Sequence, residues 1–316
     1  MVNLGRLDEA ATAYQQTIDE SESRDDARSV AGAKGQLGTV RLYERKYAEA
    51  LAAWDEARQT FEQLGEPGSV ATAWHQIGRV HQEGGQFEAA EHAYQQSLHI
   101  ESSRGDRSGE ALTLGQLGNL YGLQSRLEEA VRFYRQAADI FAAPELQNLA
   151  REGTARNNAA HELIQLSRFD EARREILRAI ECNEPFGHAA GPWTSFAILS
   201  DLEQATGNAA ASAAARDLAV QAYLAYRRDG GENHTTGGRL ALLVQQALAS
   251  GDTAAAFAEI AVFEKHPDLP NIPSAQALLP SLTAILNGSR DPALAADPGL
   301  NYHDAAEVQL LLERLA

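Results

Sequence analysis

Residues Ala71 to Ser97 read ATAWHQIGRVHQEGGQFEAAEHAYQQS. Moved back 40 positions, this stretch falls on Ala31 to Ala57, AGAKGQLGTVRLYERKYAEALAAWDEA; moved forward 40, it falls on Ala111 to Ala137, ALTLGQLGNLYGLQSRLEEAVRFYRQA. A fixed period of that size marks a repeat array rather than a single globular core. One slot is held by Gly38, Gly78 and Gly118, a second by Leu7, Tyr47, Phe87, Leu127 and Phe169, and a small slot by Ala10, Ala50, Ala90, Ala130 and Ala172. A bulky slot holds Tyr14, Trp54, Tyr94, Tyr134 and Ile176, and a last small slot Thr17, Ala57, Ser97, Ala137 and Ala179.

The spacing inside each unit is helical. Phe87, Ala90, Tyr94 and Ser97 share one face of a 3.6-residue period, and Trp74, Ile77, Gly78 and His81 make a similar stripe one helix earlier. Gly84-Gly85-Gln86 between them is a turn signal. Each unit is therefore expected to be helix A, tight turn, helix B, with glycine and alanine where the two helices cross closely and the bulky residue filling the space beside them.

Trp74, Ile77, Gly78 and His81, followed by Ala90 and Tyr94, resemble the tetratricopeptide repeat, whose mark is W-x2-L-G-x2-Y with a later A-x3-F. Leu117, Gly118 and Tyr121 with Ala130 and Tyr134 fit the same pattern. The period departs from the family's usual length of about 34 residues, and in this it resembles the longer units of kinesin light chain and of the spindle-orientation adaptor LGN. The extra residues are expected to lengthen the helices and the links between units, as at Ser102 to Ser108. The resemblance implies an all-α, right-handed α-solenoid of antiparallel helix pairs, here ending in a Pro-rich helical cap.

Along the chain, residues 1–26 read as helix B of an incomplete first repeat. Its helix A is missing from the frame, so either sequence upstream or another surface is expected to cover Leu7 and Tyr14. Residues 27–182 hold four regular units, the fourth with Ala160 in the glycine slot, and 183–263 hold two degenerate ones. The fifth has its turn at Thr206-Gly207-Asn208 and Arg216 in the bulky slot; the sixth turns at Ser250-Gly251-Asp252. Residues 264–316 form the cap. That segment carries Pro267, Pro270, Pro273, Pro280, Pro292 and Pro298, a helix over 278–286 interrupted or begun at Pro280, and a terminal amphipathic helix over 305–315. Ser289 to Leu294 and Asp304 to Glu307 resemble tails of repeat proteins in large bacterial signalling ATPases.

Composition narrows the function. Asp and Glu outnumber Lys and Arg by 44 to 27, a net charge of −17 that argues against nucleic acid or an anionic membrane as partner. A single cysteine, Cys182, excludes an internal disulfide. No N-terminal apolar run reads as a leader and no stretch is long enough for a membrane span, so a cytoplasmic location is expected.

The candidate site lies on helix A. One slot before the Leu-Gly pair stand Gln36, Gln76, Gln116 and Asn158. Such a ladder of carboxamides supplies donors and acceptors for the main chain of an extended peptide, or else bonds to neighbouring helices and braces the stack. Three slots on are Thr39, Arg79, Asn119 and His161; one slot before the ladder are Gly35, His75, Gly115 and Asn157. Arg79 and His75 are the one pair suited to an acidic side chain. The clamp by which some members of the resembling family hold a C-terminal carboxylate is incomplete. Asn119 and Asn158 fit its two Asn positions, but Gly115, Thr194 and Ile198 stand where its cations would be.

Catalytic readings find little support. His161-Glu162-Leu163-Ile164-Gln165 lacks the second histidine of a zinc-binding H-E-x-x-H. Cys182 and His188 fall across a helix end and a loop, and no phosphate-binding glycine loop is present. The expectation is a non-enzymatic scaffold or adaptor, without cofactor or metal, that holds a protein or extended peptide along residues 31–165. The alternatives are a sensor segment of a larger signalling enzyme and a self-assembling scaffold.

Overall fold

The computed structural model describes residues 4–266, 269 and 272–315; Asn3 of the first predicted turn, and Pro267 and Pro270 of the Pro-rich tail, lie outside them. The described residues form fifteen α-helices and no strand, in two compact units divided after Leu166.

The first unit contains α1 (Leu4–Glu22), α2 (Ala27–Tyr43), α3 (Tyr47–Gln63), α4 (Pro67–Glu83), α5 (Phe87–Ser103), α6 (Arg107–Leu123), α7 (Leu127–Ala142) and α8 (Leu149–Gln165). Each helix packs on the next, as in a repeat array where every element meets its neighbours. From α2 to α6 every helix has 17 residues, and every link from α2 to α7 has three. The 40-residue period is thus two equal steps of helix plus link. The expected longer link at Ser102 to Ser108 is not found: α5 continues to Ser103 and α6 begins at Arg107, so the extra residues lie in the helices.

The five links share one backbone conformation. Their middle residues, Arg45, Gly65, Gly85, Gly105 and Ser125, all have positive φ, between 58° and 72°. The following N–H returns to a carbonyl five residues back: Lys46 to Arg41, Glu66 to Phe61, Gln86 to His81, Asp106 to Glu101 and Arg126 to Tyr121, at 2.8–2.9 Å. This is the Schellman closure of a helix C-terminus, which satisfies otherwise orphaned carbonyls. Asp26, Asp106 and Asn148 cap α2, α6 and α8 through their side chains.

The glycine slot is set by rings. A Cβ on Gly78 would stand 2.6 Å from the Tyr94 ring, one on Gly118 2.6 Å from Tyr134, and one on Gly38 2.7 Å from Trp54. The bulky residue of helix B therefore lies directly on the glycine of helix A, not merely beside it. Ala50, Ala90 and Ala130 are fully buried at the same crossings. In α1, Ala11 and Ile18 are buried, Leu7, Ala10 and Tyr14 half-buried, and Thr17 exposed.

The second unit contains α9 (Phe169–Asn183), α10 (Trp193–Ala205), α11 (Ala209–Arg228), α12 (Thr236–Ser250), α13 (Ala254–Glu264), α14 (Pro273–Leu286) and α15 (Tyr302–Leu315). The α10–α11 link, Thr206 to Asn208, repeats the closure of the first unit, with Gly207 at φ 78° and Asn208 N–H on Glu203 O at 2.8 Å. From there the packing is less sequential. The last helix, α15, packs on α11, α12 and α14. Its Ala305, Ala306, Val308 and Leu311 share a core with Val220, Tyr223 and Leu224 of α11, Leu240 and Val244 of α12, and Leu278 and Leu282 of α14. Buried Glu307 pairs with Arg227 of α11 at 2.7 Å, and Arg216 donates to the carbonyls of Asp297 (2.8 Å) and Leu300 (3.1 Å). The helix expected around 278–286 begins earlier, at Pro273, and continues through Pro280, whose side chain is exposed.

Candidate functional site

The sequence-predicted site lies within the first unit, on α2, α4, α6 and α8. α4 and α6 arrive by the same three-residue closure, α2 by a four-residue link that closes alike, with Asp25 at φ 57° and Asp26 N–H on Ser21 O at 3.0 Å, and α8 behind the Asn148 cap, so equivalent residues recur at equivalent helical positions. α2 and α4 also touch one another directly.

The carboxamides behave alike where they are bonded. Gln76 Oε1 accepts from Arg79 Nη1 at 2.8 Å, and Gln116 Oε1 accepts from Asn119 Nδ2 at 3.2 Å. Both bonds run three residues along one helix. Among the described residues, no hydrogen bond joins Gln36, Gln76, Gln116 or Asn158 to a neighbouring helix. Gln36 is exposed, and Gln76, Gln116 and Asn158 are half-buried. Asn119 is held further by Tyr134, whose hydroxyl donates to Asn119 Oδ1 at 2.7 Å. Thr39 bonds to the Gly35 carbonyl at 3.4 Å, His161 is exposed, and Asn157 is buried.

His75 departs from its expected role beside Arg79. Its Nδ1 is 3.0 Å from Thr113 Oγ1 on α6, and its ring stands edge-on to Tyr94, centroids 5.6 Å apart. Burial, and secondarily the Arg79 charge, push its pKa down to about 4, so it is neutral near pH 7 and offers no charge to an anion. Thr113 continues into a buried network. It donates to Glu101 Oε1 (3.2 Å), as does Ser97 (3.1 Å), while Ser97 Oγ also bonds the Ala71 carbonyl (2.8 Å). Burial raises the Glu101 pKa. His75 thus belongs to the contact between successive units, and Arg79 remains as the cation of the face.

Carboxylates are sparse on these helices. α2 carries none, α4 carries Glu83 and α6 Glu110, and the two of α8, Glu152 and Glu162, are buried. Burial raises the Glu162 pKa, and Gln165 bonds it at 3.0 Å. The acidic excess of this unit lies largely on α1, α3, α5 and α7. Among the described residues, no group of three or more His, Cys, Asp or Glu side chains could hold a metal ion. Cys182 is buried.

The second unit has cavities that sequence reasoning missed. One, of about 1080 Å³, lies between α10, α11 and the 292–302 segment, with Arg216 in its wall. The other, of about 610 Å³, is lined by Trp193, Tyr223, Tyr226, His303 and the loops at 188–191 and 232–235. The i, i+3 tyrosines of α11 were the one visible signal. Their ring partners, Trp193 and His303, are remote in sequence.

Stacked helix pairs with an amide-bearing face define an α-helical repeat protein. The family description "Tetratricopeptide repeat" matches residues 29–101 and again 111–142. Over those residues the chain carries tetratricopeptide repeats. No curated protein sequence matches it. Among solved structures it resembles BtubC from P. vanneervenii (TM-score 0.63, 16% identity, 72% of this chain and 94% of that chain). It also resembles the aspartyl phosphate phosphatase F of Bacillus subtilis (TM-score 0.58, 12% identity, 94% and 73%). A third is a putative kinesin light chain from Podosopora anserina with nearly identical TPR-like repeats (TM-score 0.51, 15% identity, 62% and 96%). At these identities the likeness is one of fold. No helix among the described residues is long and apolar enough to cross a membrane.

Proposed function

We propose that the chain is a protein-interaction scaffold whose first unit holds an extended protein segment against the exposed face of α2, α4, α6 and α8. The observation that carries this reading is the state of the amides. Were the ladder a brace, its carboxamides would bond across helices; the bonds seen at Gln76 and Gln116 stay within one helix and engage the oxygen, which leaves the amide nitrogens to donate outward. Gln36, Gln76, Gln116 and Asn158 meet the peptide main chain. Arg79, Asn119 and His161 set side-chain preference, with Thr39 at the edge. Asn157 and His75 act from beneath, His75 through Thr113. The scarcity of exposed carboxylates on this face, in a chain of net charge −17, favours a segment with little positive charge.

Selection of extended peptides from a displayed library on the whole chain supplies the probe. Gln76→Ala combined with Gln116→Ala is expected to weaken the selected peptides about tenfold, since two lost hydrogen bonds are together worth about 1–3 kcal/mol. The melting temperature should stay within about 2 °C, as for other surface changes. Unchanged affinity, or a large drop in melting temperature with affinity kept, would return the ladder to a bracing role.

A further inference from the structure

The 610 Å³ cavity of the second unit is a hollow widely open to solvent, of a volume within the range of small-molecule sites, and its wall is unusual for this chain. Only 7% of the residues are Phe, Trp or Tyr, yet several of them meet here. Trp193 packs on Tyr226 with centroids 5.0 Å apart and planes at 45°, and stands edge-on to Tyr223 at 5.3 Å. His303 sits over Tyr223 at 4.6 Å.

The rings are held in place. The Tyr226 hydroxyl is bonded to both the carbonyl (3.3 Å) and the N–H (3.2 Å) of Glu232. Gly231 lies so close to the Tyr226 ring that a Cβ there would be 2.3 Å from it. Asn233 donates to Glu307 Oε1 at 3.0 Å and accepts from Thr235 N–H at 3.0 Å, and Thr235 in turn caps α12. The loop wall is therefore fastened to α11, α12 and α15.

Two carboxylates stand at the cavity, each beside a histidine of its lining: Glu232 meets His234 Nε2 at 3.0 Å, and Asp229 stands behind His188 at 3.2 Å. The nearest guanidinium, Arg227, is neutralised by Glu307, and Arg228 is paired with Glu313. His303 stays neutral, its pKa pushed down to about 4 by burial. Ring faces carry negative quadrupole potential, and carboxylates at the mouth reinforce it. Among the described lining residues there is no Lys or Arg to meet an anion, and the exposed Glu232 carboxylate at the mouth is held only by the equally exposed His234, at 3.0 Å, so an incoming cation can compete for it.

We propose that this cavity is a binding site for a small organic cation, a quaternary ammonium or protonated amine, seated on the Trp193 and Tyr226 rings with Glu232 at its mouth.

The test is calorimetric titration of the whole chain with choline and, separately, with its uncharged carbon isostere 3,3-dimethyl-1-butanol. Choline should bind saturably and about tenfold or more tightly than the alcohol, the margin that cation–π contact with a nearby carboxylate supplies. Trp193→Leu should abolish choline binding with the helical circular dichroism retained. If that variant fails to fold, Trp193→Phe and the exposed Glu232→Gln decide. Each should weaken choline about threefold or more and leave the alcohol unchanged. Equal binding of choline and the alcohol would reduce the site to a merely apolar hollow, and saturation by neither would overturn it. Gln76→Ala with Gln116→Ala leaves this binding intact, so failure here is distinguishable from failure of the peptide face.

Discussion

The two units solve the same problem, burying helices against helices, by opposite means. In the first, contacts run from each helix to the next, so almost every buried residue finds its partner about one or two helices away. In the second, the core closes only when α15 reaches α11, with Arg227 and Glu307 80 positions apart. Local contact order makes the first a near-additive array, whereas the second depends on a single late element. A substitution in α15 should therefore act on its own unit, and one in the array only on its neighbours.

The largest expected effect comes from Leu311→Ala. Leu311 is 3% exposed and sits where α15 meets the rest of its core. Its truncation should cost about 2–5 kcal/mol. Hydrogen exchange would show this as lost protection across α11, α12 and α15, with α4 to α7 unchanged. Equal loss in both units would erase the contrast drawn here.

A smaller effect is expected from Gly118→Ala in the array. The new methyl would stand 2.6 Å from the Tyr134 ring, an overpacking worth about 1–3 kcal/mol. Tyr134→Leu in the same chain should recover part of that loss, because the ring is what the methyl meets. The measurement is a double-mutant cycle by urea unfolding; strict additivity would mean that the glycine is small for some other reason.

That pairing of glycine and ring is why the array was legible in sequence. Gly38, Gly78 and Gly118 recur at a fixed distance before Trp54, Tyr94 and Tyr134, and the side chains themselves report the contact. The 20-residue half-step was hidden, because Arg45, Gly65, Gly85, Gly105 and Ser125 share a backbone conformation rather than a side-chain type. His75 was misread for a related reason: slot counting places it near the exposed face, but the side chain reaches Thr113 on the next helix A. The partners of α15 were invisible, since its apolar stripe shows that one face is buried without showing what covers it. The aromatic cavity fails on both counts, its rings coming from α10, α11 and α15.

The hidden half-step supplies the smallest prediction. Gly85 and Ser125 occupy the same place in successive repeats, at φ 72° and 58°. For an L residue the left-handed region costs about 1–2 kcal/mol, whereas glycine enters it freely but loses about 0.5–1 kcal/mol more backbone entropy on folding. Ser125 is exposed. Ser125→Gly should therefore raise stability by a few tenths to about 1 kcal/mol. The reverse change, Gly85→Ala, should lower it by a similar amount. A Cβ at Gly85 meets nothing within 4 Å, so the cost there is conformational alone. Urea midpoints at unchanged slope would measure both. If Ser125→Gly is neutral while Gly85→Ala is costly, the two links differ in the unfolded chain or in the width of their φ wells, and the equal-step description holds for the geometry but not for the energy.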